Sequence, residues 1–569
     1  MRRRQQCRVG VLVGALVLAI GLSACGSSSS SSSSGSNAPW WKNVNVTDLR
    51  GKAVGGQYPS IDVDLTDNEF TPRIVRIDPG VTVVWTNHGR SVHNILKSDN
   101  SVDFGKQFGV DSLSVDAKYQ FTFKRPGVYD YYCSLHGNPM SGMNAMVVVG
   151  DVDISTGKVA SGAGPTESGT LRVGPNEKFH TIQAAVDAAK PGSLVLIDKG
   201  VYHEQVSVNA GHENIVIRGV DRNETILDGR FDEKTPNGFL VQADGVAIEN
   251  LTARNYVTNG FFWRGVTGYR GSYLNSYRTG DYGIYAFDSE VGQFDHDFAV
   301  GSRDAGYYIG QCSHCRAVIT DSVSQWNGLG YSGTNAGGDL YIVHSTWRFN
   351  RAGIVPNSET GEKLFPQRRV TIAGNVVYSN NNVKTPAIDI ATTALGNGIL
   401  VAGGHDDLVE HNLVYDHDIY GIGLITLPEK FLDPNNTKAI NFEAIGNTIR
   451  NNTVRGSRVA DLALMPSLER PNKPQGNCFS GNTFTTSSPA NLETTLPCDA
   501  PAGAFAGDLK QFVALFTADK PKEVDYRTSP LPPLPTQPNM PDPMHAPVRP
   551  ANHGVPMHVD IAAITTPKQ

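Results

Sequence analysis

The stretch Asp281 Tyr282 Gly283 Ile284 Tyr285 is answered one repeat later by Asp304 Ala305 Gly306 Tyr307 Tyr308 Ile309. The same glycine returns along the chain at Gly260, Gly283, Gly306, Gly330 and Gly353, then at Gly398 and Gly421. A period of about 23 residues is that of a solenoid, in which each repeat forms one coil and stacks on the coil before it. Asp281, Asp304, Asn327, Asn350 and Asn397 precede these glycines, and a second row, Asn375, Asn412, Asn452 and Asn482, starts successive coils. Short amides tolerate left-handed backbone and bond to their own turns, so both rows read as structural ladders. Ile284, Ile309, Ile354 and Ile399 belong to rows that predict an aliphatic and aromatic interior.

Outward from the repeat, the pattern changes on both sides. Ile182, Ala185, Val186 and Ala189 fall at helical spacing, and Pro191 Gly192 then separates them from the apolar strand Leu194 to Ile197. Before residue 170 a Gly, Ser and Thr rich linker runs over 151–170. Upstream of it the apolar runs are short and turn-bounded: Ile61 to Leu65, Arg73 to Ile77, Val81 to Thr86, Tyr119 to Phe123, Val128 to Tyr132 and Met146 to Val149. Alternation at Val81, Val83 and Trp85 gives each strand one buried face, which predicts a small β-sandwich over 58–150. After residue 500 the chain is rich in proline, and 501–569 reads as an extended strap along the repeat region 171–500 rather than as a compact domain.

At 569 residues and a net charge of -6, the chain is long enough for more than one core and lacks the clustered basic face that nucleic acid requires. Its 59 glycines and 18% charged residues fit an all-β protein rich in turns. Residues 1–24 read as an export signal. Arg2, Arg3 and Arg4 lead into an apolar stretch from Val9 to Leu22 that is short for a span of about 20 residues. Leu22 Ser23 Ala24 Cys25 resembles the bacterial lipobox, which implies lipid attachment at Cys25; residues 25–57, with Ser27 to Ser34, form a polar tether. The expected location is the bacterial cell envelope, either on the outer side of the cytoplasmic membrane with that lipid anchor as the membrane attachment, or secreted. In an oxidising compartment Cys312 with Cys315 and Cys478 with Cys498 are expected as disulfides.

Apart from Cys7, which lies in the export signal, one cysteine remains, in Tyr131 Tyr132 Cys133 Ser134 Leu135 His136 Gly137, with Met140 and Met143 just beyond and His93 upstream. One thiolate, two imidazoles and a thioether are the donor set of a mononuclear copper centre that passes single electrons. His88 lies outside that pattern and reads as a surface residue.

Over 58–150 the sequence resembles the plastocyanin-type cupredoxins, through Phe70 and Pro72, Pro79 Gly80, Trp85 and Asn87, His93 Asn94, Tyr132 Cys133, His136 and Gly142 Met143. The resemblance implies one type 1 copper, with His93, Cys133 and His136 as equatorial ligands and Met143 as axial ligand, Met140 being the alternative. It also implies that Asn94 steadies the cysteine sulfur.

From Leu171 to Thr485 the chain resembles right-handed parallel β-helix proteins of the pectin-lyase-like class. His180 Thr181 Ile182 Gln183 Ala184 Ala185 Val186, Pro191 Gly192 and Gly200 Val201 Tyr202 are similar to the amino-terminal cap of pectin methylesterases and of copper-associated proteins of the NosD kind. The resemblance implies the fold; an activity on acidic polysaccharides would need further residues. Gly403 Gly404 His405 Asp406 Asp407 only loosely matches a polygalacturonase site. Arg348, Arg351 and Pro356 do not make the lyase constellation, and Asp295 His296 Asp297 is the nearest echo of an epimerase motif. Calcium, which some members of this class use, finds no support in the residues. Asp297, Asp321 and His344 are expected at equivalent places in successive coils and are the candidate catalytic residues, with another turn ladder as the alternative.

The chain therefore reads as a cupredoxin β-sandwich followed by a β-helix solenoid. The expected function is electron transfer or copper handling at a bacterial cell envelope, with a redox partner protein or an envelope glycan docking on the solenoid. The alternative is a polysaccharide lyase, epimerase or hydrolase with an accessory cupredoxin; copper delivery to a reductase rests on fold analogy alone.

Overall fold

The computed structural model describes residues 41, 44–50, 60–67, 69–78, 80–98, 108–123, 127–138, 141–150, 152, 154, 169–432, 437, 439–465, 467, 469–508, 510, 521–551 and 559–568. The signal segment, Cys25, Met140 and most of the linker lie outside them.

The amino-terminal domain is a sandwich of two sheets. One orders the strands Thr47–Asp48, Ile74–Ile77, Ser141–Val149, Gly127–Asn138, His93–Lys97 and Val110–Leu113; the other orders Glu69–Thr71, Ser60–Thr66, Thr82–Asn87 and Lys118–Thr122. Alternation decides what each strand buries. Ile61, Val63 and Leu65 face the core while Asp62 and Asp64 point the other way, and Tyr129, Tyr131 and Cys133 face in from Gly127–Asn138. Trp85 is fully buried with its ring 5.4 Å from that of Tyr131, edge to face. The strands His93–Lys97 and Val110–Leu113 have no counterpart among the six apolar runs of the sequence, because neither alternates cleanly.

The second domain is a parallel β-helix whose coils contribute strands to sheets of 13, 10 and 11 strands. Thr267–Ser272, Asn275–Thr279 and Tyr282–Phe287 form one coil, and Glu290–Asp295, Phe298–Val300 and Ala305–Gly310 form the next. Ile284, Tyr307, Tyr331, Ile354, Ile399 and Ile422 stand directly above one another. The glycines that betrayed the period occupy the preceding row. A Cβ on Gly330 would lie 2.4 Å from the carbonyl oxygen of Gly353, one on Gly353 2.4 Å from that of Gly398, and one on Gly398 2.5 Å from that of Gly421. Glycine is therefore required there by close approach of neighbouring coils. At the amino-terminal end the helix Ile182–Ala188 buries Ile182, Ala185 and Val186 over the first coil. Thr181 accepts from the N–H of Ala184, and Glu204 accepts from the N–H groups of Ile182 and Gln183.

Polar side chains stitch the corners. Asn375, Asn412 and Asn452 each donate a backbone N–H to the amide oxygen of the next member, ending on Asn482, at 3.0 Å per step. Upstream the same ladder runs through Asp297, Ser322 and Ser345. A second ladder runs Ser302, Asn327, Asn350, Asn380 and His417. Asp281 and Asp304 do not share it. They belong to a different row, one residue closer to their glycines than Asn327 and Asn350 are, as the pairing of Tyr282 with Ala305 fixes.

The register corrects the candidate catalytic stack. His296, Asp321 and His344 are aligned, whereas Asp297 aligns with Ser322 and Ser345. The aligned row is a left-handed corner throughout: Asn250, Tyr273, His296, Asp321, His344, His411 and Asn451 all have φ between 48° and 57°, and Gly374 and Gly481 continue it. Asp297 is instead buried, its carboxylate accepting the N–H of Leu274, and burial raises its pKa far above the carboxylate range. The three residues form a corner and a ladder, and do not make one acid and base site.

The carboxy-terminal segment lies along the solenoid. Arg218 donates to the carbonyls of Ala546 and Pro547, Arg278 to those of Tyr526 and Arg527, and the Met540 N–H meets Asn250 Oδ1.

Candidate metal centre

The strand Gly127–Asn138 places Cys133 on its core face and carries His136 three residues on; His93 opens the neighbouring strand His93–Lys97. Cys133 and His93 are fully buried and His136 is half-buried. The Nδ1 atoms of His93 and His136 stand 3.7 and 3.5 Å from the Sγ of Cys133, and the two imidazole rings are 4.6 Å apart. Those separations are what ligands at roughly 2.0–2.3 Å from one shared ion require at trigonal or tetrahedral angles. A soft thiolate with two imidazoles suits copper. Burial, and then the neighbouring His136, push the His93 imidazole below its ordinary pKa, a direction that favours the neutral, ligating form.

The surroundings hold these donors in place. The backbone N–H of Asn94 points at the Cys133 Sγ over 3.5 Å, and its side chain clamps Ser134 from both ends, accepting from the backbone N–H and donating to Oγ. Asn87 donates to the carbonyls of Ser91 and Leu113, and its Oδ1 accepts from Gly89, fixing the loop that leads into His93. Met143 is buried within a bulge of the pairing between Gly142 and Asn144, on the strand facing the ligand loop. Gly142, with φ of 83°, lets the loop close: a Cβ there would sit 2.7 Å from the His136 carbonyl oxygen. On the outer side Leu135 is 57% exposed and Val92 is 44% exposed, so the His136 edge faces solvent.

Two polar clusters were not legible as sites. His88 is not a surface residue: its side chain is 15% exposed, its Nδ1 is 3.0 Å from Asp64 Oδ1, and its ring stacks on that of His314 in the β-helix at 4.6 Å. Burial alone would raise the Asp64 pKa, but contact with His88 and the charges of Arg316 and His314 hold it below the ordinary value. His314 lies inside the four-residue loop closed by the Cys312–Cys315 disulfide; Cys478 is bridged to Cys498.

The second cluster lies on the sheet of the glycine row. Phe262 stacks on Tyr285 at 4.3 Å, Tyr285 is 4.8 Å from Tyr308, and the Tyr308 hydroxyl donates to Glu362 at 2.7 Å. Burial, reinforced by neighbouring carboxylates, pushes Glu359 up to about 7 and Asp304 up to about 8. Burial likewise takes Glu362 to about 7, its hydrogen bonds to Tyr308 and Asn335 pulling the other way. The earlier candidates elsewhere have structural partners. Arg348 donates to Gln325 and Tyr378, Arg351 to the Thr385 carbonyl, and Asp407 accepts from Gln367 and Val370.

Comparison with known proteins agrees with the amino-terminal geometry. Residues 59–150 match the family of copper binding proteins of the plastocyanin/azurin type. Amicyanin-alpha of Methylorubrum extorquens is 35% identical over 78 residues, which are 14% of this chain and 64% of that protein. The chain thus spans less than two thirds of the length of that relative. Among solved structures, a purple cupredoxin from Nitrosopumilus maritimus is 27% identical, covering 16% of this chain and 97% of that one with a TM-score of 0.13. The A-module of a mannuronan C-5 epimerase from Azotobacter vinelandii is 17% identical, covering 54% of this chain and 94% of that one with a TM-score of 0.36. The amino-terminal domain is a plastocyanin/azurin-family copper-binding domain, and a parallel β-helix follows it.

Proposed function

We propose that this protein is an electron-transfer protein of the bacterial cell envelope, exported by its amino-terminal signal and anchored through lipid on Cys25. Its cupredoxin domain would hold one type 1 copper through His93, Cys133, His136 and Met143, and its β-helix is a docking scaffold for a redox partner or an envelope glycan. The observation that carries the reading is the convergence of two imidazole Nδ1 atoms on the Cys133 sulfur beside a solvent-facing His136 edge. Bound copper supplies one-electron exchange without proton transfer. The protein residues fix the donors, keep water from the sulfur, and present Leu135 and Val92 as an apolar rim against which a partner can pack. The test is electron self-exchange between the oxidised and reduced copper-loaded chain. Leu135→Asp should slow it at least tenfold, and an unchanged rate would remove the His136 edge as the electron port. Metabolic fatty-acid labelling that persists in Cys25→Ser would remove the anchor.

A second reading, glycan processing by the β-helix, is supported by the Tyr285, Tyr308, Glu359 and Glu362 cluster, where aromatic faces adjoin carboxyls poised near neutral pH. Turnover of a polyuronate that falls in Glu362→Gln would establish it, and no turnover across a broad glycan panel would dismiss it.

A further inference from the structure

Asp64, His88 and His314 meet where the cupredoxin domain rests on the β-helix, and each contributes a ligand atom within 4.8 Å of the other two. Asp64 is 2% and His314 7% exposed. Asp64 Oδ2 and His314 Nδ1 are buried without a hydrogen-bond partner among the described residues, and His88 Nδ1 meets Asp64 Oδ1 at 3.0 Å. Polar atoms taken out of water without a partner cost roughly 1–3 kcal/mol each, so a cluster of them implies an occupant. Their spacing matches the metal centre already described: the two imidazole rings are 4.6 Å apart in both places.

The position is built. His314 takes a left-handed backbone, φ 71°, inside the loop closed by the Cys312–Cys315 disulfide, and its N–H is tied to the Gly337 carbonyl at 2.9 Å. Gly338, also with positive φ, leaves room for it, since a Cβ there would lie 2.9 Å from His314 Nδ1. The two rings border a cavity of about 170 Å³, which Asp339, Arg369 and Asp406 also line. Arg316 approaches Asp64 Oδ2 only to 4.0 Å and is engaged by Glu290 at 2.8 Å. Asp64, Asp339, Asp406 and Glu290 thus face the two guanidiniums, a balance that favours a cation over an anion.

We propose that Asp64, His88 and His314 form a second metal site, for a borderline first-row divalent cation such as Zn2+, that bridges the two domains. Two imidazoles and one carboxylate are a recognised three-ligand set for such an ion, leaving a further coordination position toward the cavity. Because Asp64 and His88 come from one domain and His314 from the other, the ion would also lock their relative placement. The site uses none of the residues around Cys133, so it stands apart from the copper reading.

The test is Zn2+ titration of the metal-free full-length chain, with stoichiometry from calorimetry and ligand type from X-ray absorption. The expected result is two equivalents: one with a sulfur ligand, lost in Cys133→Ala, and one with only nitrogen and oxygen ligands, lost in both His314→Ala and Asp64→Asn. Asp64→Asn is nearly isosteric and keeps the test open if His314→Ala fails to fold. A single, sulfur-ligated equivalent in the unsubstituted chain would overturn the proposal. So would a nitrogen and oxygen site that survives both substitutions.

Discussion

The backbone N–H of Asn94 is aimed at the sulfur of Cys133 from 3.5 Å while the Asn94 side chain grips Ser134, the next residue along the ligand strand. One residue thereby controls both the electron density on the sulfur and the orientation of the thiolate. Replacing Asn94 with Ala keeps the N–H but frees the strand. Copper affinity should fall by roughly 10- to 100-fold, the usual cost of losing an outer support, and the reduction potential should drop as the N–H to sulfur bond loosens. Competitive chelation and voltammetry measure the two effects.

Gly142 makes a sharper case. A side chain there meets the His136 carbonyl oxygen at 2.7 Å and the Gly137 Cα at 2.8 Å, and the backbone sits at φ 83°. Gly142→Ala should cost about 1–3 kcal/mol and spread the ligand loop. Copper binding weakens with it, which chemical denaturation and copper titration of the same variant would show together.

In the β-helix, Gly330→Ala should destabilise by about 1–3 kcal/mol, because the new Cβ would lie 2.4 Å from the carbonyl oxygen of Gly353. Gly361→Ala is the control. Nothing lies within 4 Å of its Cβ, so the change should stay within about 0.5 kcal/mol. Denaturant midpoints of the two variants compare them directly.

His417 gives a pH dependence with a definite sign. It ends the second ladder with Nδ1 accepting from the Asn380 N–H and Nε2 donating to the Val377 carbonyl, which requires the neutral ring. Burial lowers its pKa to about 4, against 6.5 unperturbed. As pH falls from 6.5 to 4 the unfolded chain takes up a proton that the folded chain refuses, so stability declines by on the order of 1 kcal/mol per pH unit. His417→Asn continues the ladder without the titration. The stability difference between the variant and the parent should therefore grow in favour of the variant on acidification and be flat above pH 7.

The sequence made some of this legible and hid the rest for physical reasons. The glycine row was visible because coil-to-coil contact demands glycine at one phase of every coil, as Gly330 and Gly353 show. The copper donors were visible because Cys133 and His136 share one strand and the intervening distance is fixed by covalent geometry. The alignment of Asp297 with Asp321 failed because coils differ in length. Tyr273 to His296 spans 23 residues, but His296 to Asp321 spans 25, around the Cys312–Cys315 bridge, so the 24 residues from Asp297 to Asp321 fall one short of the phase. His88 and His314 are 226 positions apart and meet only through docking of two domains, so no local spacing announces them.

The central claim is a one-electron copper centre on Cys133, and visible absorption of the full-length chain on addition of one equivalent of Cu2+ tests it most directly. The account predicts an intense thiolate-to-copper band that disappears on one-electron reduction, returns on reoxidation, and is absent in Cys133→Ser. Copper bound with only weak absorption, or with the band unchanged in Cys133→Ser, would contradict it.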